Sequence, residues 1–165
     1  VQPRQPRPKT RPTLQQARIK AEKYCAYQER SQQEVKLKLL GMGLTHSESA
    51  EILAELVMQN FVNESRFAHA FAKGKLKVKK WGSRKIAIAL KNKGITDALI
   101  QEVLKSIDPD YYLSELRLSI EKKAKTIKEI DPWKKAGKLK QYLIGRGYEA
   151  ELVFREVDRF LKEEN

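Results

Sequence analysis

Trp81 stands among Lys79, Lys80, Arg84 and Lys85 in the run LKVKKWGSRK (76–85), the part of the chain whose residue types and spacing could do chemistry. Lysine and arginine neutralise phosphates and release the counterions condensed on them, while an indole offers a flat face on which a base can stack. The same ring could anchor in an apolar groove of a protein partner. It could also fold back as a plug on its own unit, with the lysines merely facing water.

Helical spacing decides which charges can act together. With a helix starting near Ser83, Ile86 and Leu90 turn inward, leaving Arg84 and Lys91 at i, i+7 on one flank. A preceding helix over 64–75 carries Phe67 and Phe71 at i, i+4 and places Arg66 and Lys73 at the same seven-residue spacing. Together with a basic loop over 77–81 these predict a binding surface of Arg66, Lys73, Lys77, Lys79, Lys80, Trp81, Arg84, Lys85, Lys91 and Lys93.

Other chemistry lacks the residues it needs. His46 and His69 are the two histidines, and neither has a second ligand at metal spacing. Cys25, the one cysteine, sits beside Tyr24 on an amphipathic stretch as a small core residue without a base to activate it. Lys73-Gly74-Lys75 lacks the glycine spacing and the hydroxyl residue of a phosphate loop. The carboxylates Glu163 and Glu164 fall in a terminal stretch. The expectation is a protein that is not an enzyme and uses no metal or cofactor.

These residues are positioned by helices. From Thr13 onward apolar residues recur at intervals of three and four, and no alternating stretch is broken by Asn-Gly or Asp-Gly turns. Three segments end alike: VKLKLLGMGL (35–44), IAIALKNKGI (86–95) and LKQYLIGRGY (139–148). Superposing Gly43, Gly94 and Gly147, which lie 51 and 53 residues apart, aligns Val35 with Ile86 and Leu139, and Leu39 with Leu90 and Leu143. One apolar residue follows each glycine (Leu44, Ile95, Tyr148), and then another amphipathic helix.

Caps mark the boundaries. Ser31-Gln-Gln-Glu34 and Thr45-His-Ser-Glu48 are capping boxes, and Asp131-Pro132 puts a cap before a first-turn proline. Each of the three glycines supplies the left-handed residue that ends a second helix. Leading helices over 14–29, 64–75 and 111–129 complete three units of about fifty residues. The fold class expected is all-α: three tandem three-helix repeats in an elongated, curved array, with repeats over 13–60, 61–108 and 109–165 and some hinge freedom in the linkers 60–64 and 107–111. Residues 1–12, with four prolines and four basic residues, read as a flexible arm.

The bulk properties agree. The 165 residues carry 34 Lys+Arg against 21 Asp+Glu, a net charge of +13 that points to a polyanionic partner. Residues 62–107 hold eleven basic against three acidic side chains, whereas 108–165 are nearly balanced at thirteen against twelve. The lone cysteine fits a reducing cytoplasm, and with no apolar run near the ~18 residues of a membrane span, neither secretion nor membrane insertion is expected. Helix, glycine turn, helix also describes a duplex-DNA reader, but the helix that would enter the groove begins Thr96-Asp97-Ala98 and continues to Glu102, and carboxylates are poorly suited to a phosphate-lined groove.

The middle unit, ESRFAHAFAKGKLKVKKWGSRKIAIALKNKGI (64–95), resembles the RecX family, bacterial regulators of the RecA recombinase. Arg66-Phe67-Ala68, Gly82, Ile86, Leu90, Lys93, Gly94 and Ile95 match its pattern, with Arg84 or Lys85 as the basic residue before Ile86. Ser31, Glu34 and Leu39 fit the first repeat, and Arg146-Gly147-Tyr148 fits the turn of the last, so the likeness covers about 17–161. The resemblance implies a cytoplasmic monomer that lies along the groove of the RecA filament on single-stranded DNA, restrains its ATP hydrolysis, strand exchange and co-protease activity, and itself binds DNA weakly. The alternative reading is a general single-stranded nucleic-acid-binding protein.

Overall fold

The computed structural model describes residues 11–163, and within them every regular element is a helix. In chain order these are α1 (Leu14–Tyr27), α2 (Gln32–Gly41), α3 (His46–Met58), α4 (Glu64–Lys79), α5 (Ser83–Asn92), α6 (Asp97–Lys105), α7 (Pro109–Ala124), α8 (Pro132–Gly145) and α9 (Ala150–Glu163). The expected arm over 1–12 lies outside the described residues except for Arg11 and Pro12. The chain divides into two compact units, and the division falls inside α4, after Phe67.

In the first unit α1, α2 and α3 all pack on one another. α1 contributes Ala17, Ala21 and Cys25, small side chains at i, i+4 and i+8 that let the other two helices approach closely. Against them lie Val35 and Leu39 of α2, Ile52 and Leu56 of α3, and Leu44 and Val62 from the turns. Burial pushes the Cys25 thiol above its ordinary range, partly opposed by Arg30. Capping boxes at Thr13, Ser31 and Thr45 start all three helices, each hydroxyl accepting from the backbone N–H three residues on. The box formed by Thr13 and Gln16 has the same pattern as those of Ser31 with Glu34 and Thr45 with Glu48.

In the second unit α7 packs on both α8 and α9, and α8 packs on α9. Their core is Leu116, Ile120, Ala124, Leu139, Leu143, Tyr148, Val153 and Val157. Glu156 is buried beside it, where Arg117 Nε donates at 2.8 Å and Arg155 Nε at 3.1 Å. Burial raises this carboxyl, but the arginines outweigh it and hold the acid below its ordinary range. The remainder of the unit is α4 beyond Phe67 with the packed pair α5 and α6. Its buried side chains are Ala68, Ala72 and Leu76 at i, i+4 and i+8, followed by Ile86, Leu90, Ile95, Ile100 and Val103.

The glycine alignment is realised in the backbone and in the core. Gly43, Gly94 and Gly147 have φ of 92°, 80° and 92°, the left-handed conformation that ends α2, α5 and α8. Both aligned apolar columns, Val35/Ile86/Leu139 and Leu39/Leu90/Leu143, are fully buried.

Two boundaries differ from the sequence reading. α4 runs to Lys79, so most of the stretch expected as a loop over 77–81 is helical. Gly74 weakens a helix but does not stop one, and the break comes instead at Lys80, whose φ is 55°. α7 occupies Pro109–Ala124 in place of 111–129, started by Asp108, whose Oδ1 accepts from the Tyr111 N–H at 2.8 Å, and by Pro109 in its first turn.

Candidate polyanion-binding surface

The basic residues of the middle repeat divide by what their side chains already touch. Arg66 is engaged in the first unit: its Nε donates to Glu29 at 2.6 Å, and its guanidinium also reaches the Asn60 side chain and carbonyl at 3.1 and 3.0 Å. Lys80 forms an ion pair with the buried Glu115 of α7. Lys91 reaches Asp97 at 3.2 Å, with both side chains largely in water, a geometry that contributes little. Lys93 sits over the Phe71 ring at 5.9 Å.

Lys73, Lys77 and Lys79 on α4 and Arg84 on α5 are exposed. None of the four has a side-chain hydrogen bond or ion pair among the described residues. Lys73 and Lys77 are one turn apart on the same helix face. Trp81 is half-buried, with the ammonium groups of Lys75 and Lys85 each 4.9 Å from its ring centroid. The indole is thus neither a plug in the core nor a bare platform. It is a cationic stack with a partly open face, and Lys75 joins the surface although it is not among the residues expected there from sequence.

What fixes this surface, within the second unit, is the junction between the start of α5 and the last repeat. α5 begins at Gly82 without a side-chain cap of its own. Its first donors are satisfied by the next repeat instead: the Gly82 N–H donates to the Arg146 carbonyl at 2.8 Å, the Ser83 N–H to the Tyr112 hydroxyl at 2.9 Å, and the Arg84 N–H to the Gly147 carbonyl at 3.0 Å. Arg146 returns a bond from its guanidinium to the Lys79 carbonyl at 3.0 Å. A helix N-terminus with free N–H groups is a ready anion site, and here the Gly82, Ser83 and Arg84 groups are occupied. An anion at this end of α5 would have to be met by side chains.

Glu149 completes the junction. In the first two repeats Thr45 and Thr96 occupy the second position after the glycine, and each caps its helix through its hydroxyl. In the third, the Glu149 carboxylate turns away to accept from the Tyr112 hydroxyl at 2.7 Å and from the Ser83 hydroxyl. Burial, and after it the bond to Glu149, holds the Tyr112 phenol well above its ordinary pKa, so it remains a donor. The backbones also touch closely: a Cβ added at Gly82 would lie 2.3 Å from the Gly147 carbonyl carbon, and one added at Gly147 would lie 2.4 Å from Lys85 Cβ.

Beside Lys73 the surface dips into a cavity of about 270 Å³ with Ala72, Leu76, Val103 and Ile107 on its walls. Among the described residues no group of three or more His, Cys, Asp or Glu could hold a metal ion, and no helix is long and apolar enough to cross a membrane.

Tyr112, Glu115, Ser83 and Glu149, which orient the surface, were not singled out from sequence, because their partners lie 29 to 66 residues away.

Comparison with known proteins finds the same architecture. Family models described as the second and the third three-helix domain of RecX match residues 63–104 and 110–156. A protein named regulatory protein RecX from Clostridium beijerinckii is 31% identical over 134 residues, covering 80% of this chain and 62% of its own length. One of the same name from Bacillus cereus is 25% identical over 140 residues, covering 85% and 52%. The chain spans between a third and two thirds of the length of the curated relatives it matches. Among solved structures, RecX from Lactobacillus salivarius has a TM-score of 0.78 at 21% identity, covering 88% of this chain and 95% of that one. A second, titled regulatory protein RecX, has a TM-score of 0.76 at 19% identity, covering 88% and 73%.

Proposed function

The chain belongs to the RecX family, and on that premise we propose that it is a non-enzymatic regulator of the RecA recombinase, binding along the filament that RecA forms on single-stranded DNA and restraining ATP hydrolysis and strand exchange there. The observation that carries this reading is the set of uncommitted cations, Lys73, Lys77, Lys79 and Arg84, on two helices oriented by the Gly82–Gly147 junction. They supply the charge that a phosphate backbone or an acidic protein surface requires. Trp81, Lys85, Lys91 and Lys93 flank them. Regulation of this kind acts by occupancy, so no residue needs to be catalytic.

The cavity beside Lys73 favours a protein filament over naked nucleic acid as the principal partner. Its apolar walls suit an aliphatic or aromatic anchor from a protein, set beside a cation that can meet an acidic neighbour. A phosphate backbone has no such group to offer, and a base, planar and rimmed with polar atoms, suits a flat ring such as Trp81 better than an apolar pocket.

The test adds the purified chain to the cognate recombinase assembled on single-stranded DNA and follows ATP hydrolysis. We expect progressive slowing with added protein, and unchanged hydrolysis at excess protein would overturn the reading. Lys73→Glu combined with Arg84→Glu should weaken the effect at least tenfold while leaving the helical circular dichroism and melting temperature in place. Full inhibition by that variant would put the binding surface elsewhere.

A further inference from the structure

The least buried large apolar side chains of the last repeat stand together where the chain enters α8. Ile130 is 95% exposed and Trp133 is 84% exposed. Neither belongs to the core of that repeat. Tryptophan is on average a highly buried residue, so an indole left in water is an observation that asks for a partner.

The backbone that carries the ring is tied down. Asp131 Oδ1 accepts from the Trp133 N–H at 2.9 Å and from the Lys134 N–H at 3.0 Å, and Pro132 opens the helix. One turn further on is Gly137, where an added Cβ would meet nothing within 4 Å. The indole therefore overlooks a helix face without a side chain, bordering an open cavity of about 640 Å³ that Lys134, Lys138 and Lys140 also line.

The charge around it is positive. Residues 122–140 hold eight lysines against Glu129 and Asp131. Glu129 is held by Lys138 at 3.0 Å, Asp131 is used by the cap, and Asp158, which also lines the cavity, is met by Lys140 at 2.6 Å. Lys125, Lys128 and Lys134 are exposed, and among the described residues their side chains make no hydrogen bond or ion pair. An aromatic face beside open space, in a field of lysines whose nearby carboxylates are already engaged, has the chemistry of a single-stranded nucleic-acid contact: the base stacks and the flanking phosphates meet ammonium groups. Duplex DNA keeps its bases stacked on one another, and an acidic peptide needs no planar platform.

We propose that the entrance to α8 is a second single-stranded nucleic-acid contact, on the last repeat, with Trp133 as the stacking platform and Lys128 and Lys134 taking the adjacent phosphates. It is separate from the cations of α4 and α5 and independent of the recombinase reading, because its test contains no recombinase. The experiment labels the full chain with 5-fluorotryptophan, assigns the two ¹⁹F resonances with Trp133→Phe, and titrates in an oligothymidylate at low salt.

The expected result is a saturable shift of the Trp133 resonance. In anisotropy measurements on the labelled oligomer, Trp133→Ala should then weaken binding roughly tenfold and Trp133→Phe should retain most of it. A Trp133 resonance that stays in place at saturating oligonucleotide would overturn the proposal. So would unchanged affinity in Trp133→Ala, or a resonance that moves only with phosphatidylserine vesicles, which would assign the patch to an anionic lipid surface.

Discussion

Gly82 and Gly147 tie the orientation of the cationic surface to two missing methyl groups. An alanine Cβ at Gly82 would press on backbone atoms of Gly147 and Tyr148, which cannot rotate away as a side chain could. Gly82→Ala should therefore open the junction or displace α5, a form of overpacking that costs roughly 1–3 kcal/mol. Gly74 provides the internal control. It lies inside α4, an added Cβ there meets nothing within 4 Å, and Gly74→Ala should be neutral or stabilise by about 0.5–1 kcal/mol. Urea melts of the two variants beside the parent decide the matter; a Gly82→Ala protein as stable as Gly74→Ala would mean that the junction is not tightly packed in solution. The sequence makes Gly82 conspicuous in its basic run, but its contact with Gly147, 65 positions later, is invisible until the two repeats are placed side by side.

At the scale of the helices, much of the fold was legible because it is written in local chemistry. The capping boxes at Ser31 and Thr45, the Asp131-Pro132 start and the three left-handed glycines each involve groups within a few residues of one another. The end of α4 was not legible, since Lys80 adopts a positive φ while its ammonium pairs with Glu115, and nothing near Lys80 in sequence announces that partner. The start of α7 is written as plainly as that of α8, with Asp108-Pro109 matching Asp131-Pro132, two residues ahead of the start at 111 that the apolar spacing predicts. Of the candidate surface, the residue types were legible and their engagement was not: Arg66 and Lys80 look like Lys73 and Lys77 until Glu29 and Glu115 are seen beside them. A cap prediction follows at this scale. Ser31→Ala removes the hydroxyl that accepts from the Glu34 N–H at 3.2 Å, on a residue that is fully buried, and should cost about 1–2 kcal/mol. Thr13→Ala, at an exposed cap of the same kind, should cost about 0.5–1 kcal/mol, and thermal melts yielding equal losses would show that burial adds nothing to the cap.

For the molecule as a whole the question is how its charge of +13 is divided between folding and binding. Many of its cations are already met by carboxylates, as in Arg18–Glu55, Arg66–Glu29, Lys80–Glu115, Arg117–Glu156 and Lys140–Asp158. Net charge therefore overstates what a polyanion can use. Among the exposed and uncommitted side chains, the two candidate surfaces hold Lys73, Lys77, Lys79 and Arg84 on α4 and α5, and Lys125, Lys128 and Lys134 near Trp133. Each phosphate neutralised on a single strand contributes about −0.7 to the slope of log Kobs against log salt. The four cations of α4 and α5 alone should then give a slope near −3, and the two surfaces acting together a slope near −5. Lys73→Gln with Lys77→Gln should make the slope shallower by about 1.4 without changing its linearity. Inhibition of recombinase ATP hydrolysis should depend on salt less steeply, because an apolar anchor in the cavity beside Lys73 releases no counterions. Fluorescence titrations of an oligothymidylate between 50 and 200 mM salt, run beside the ATP hydrolysis assay at the same concentrations, separate the two contributions. Parallel salt dependences would show that the chain meets its partner through phosphates alone.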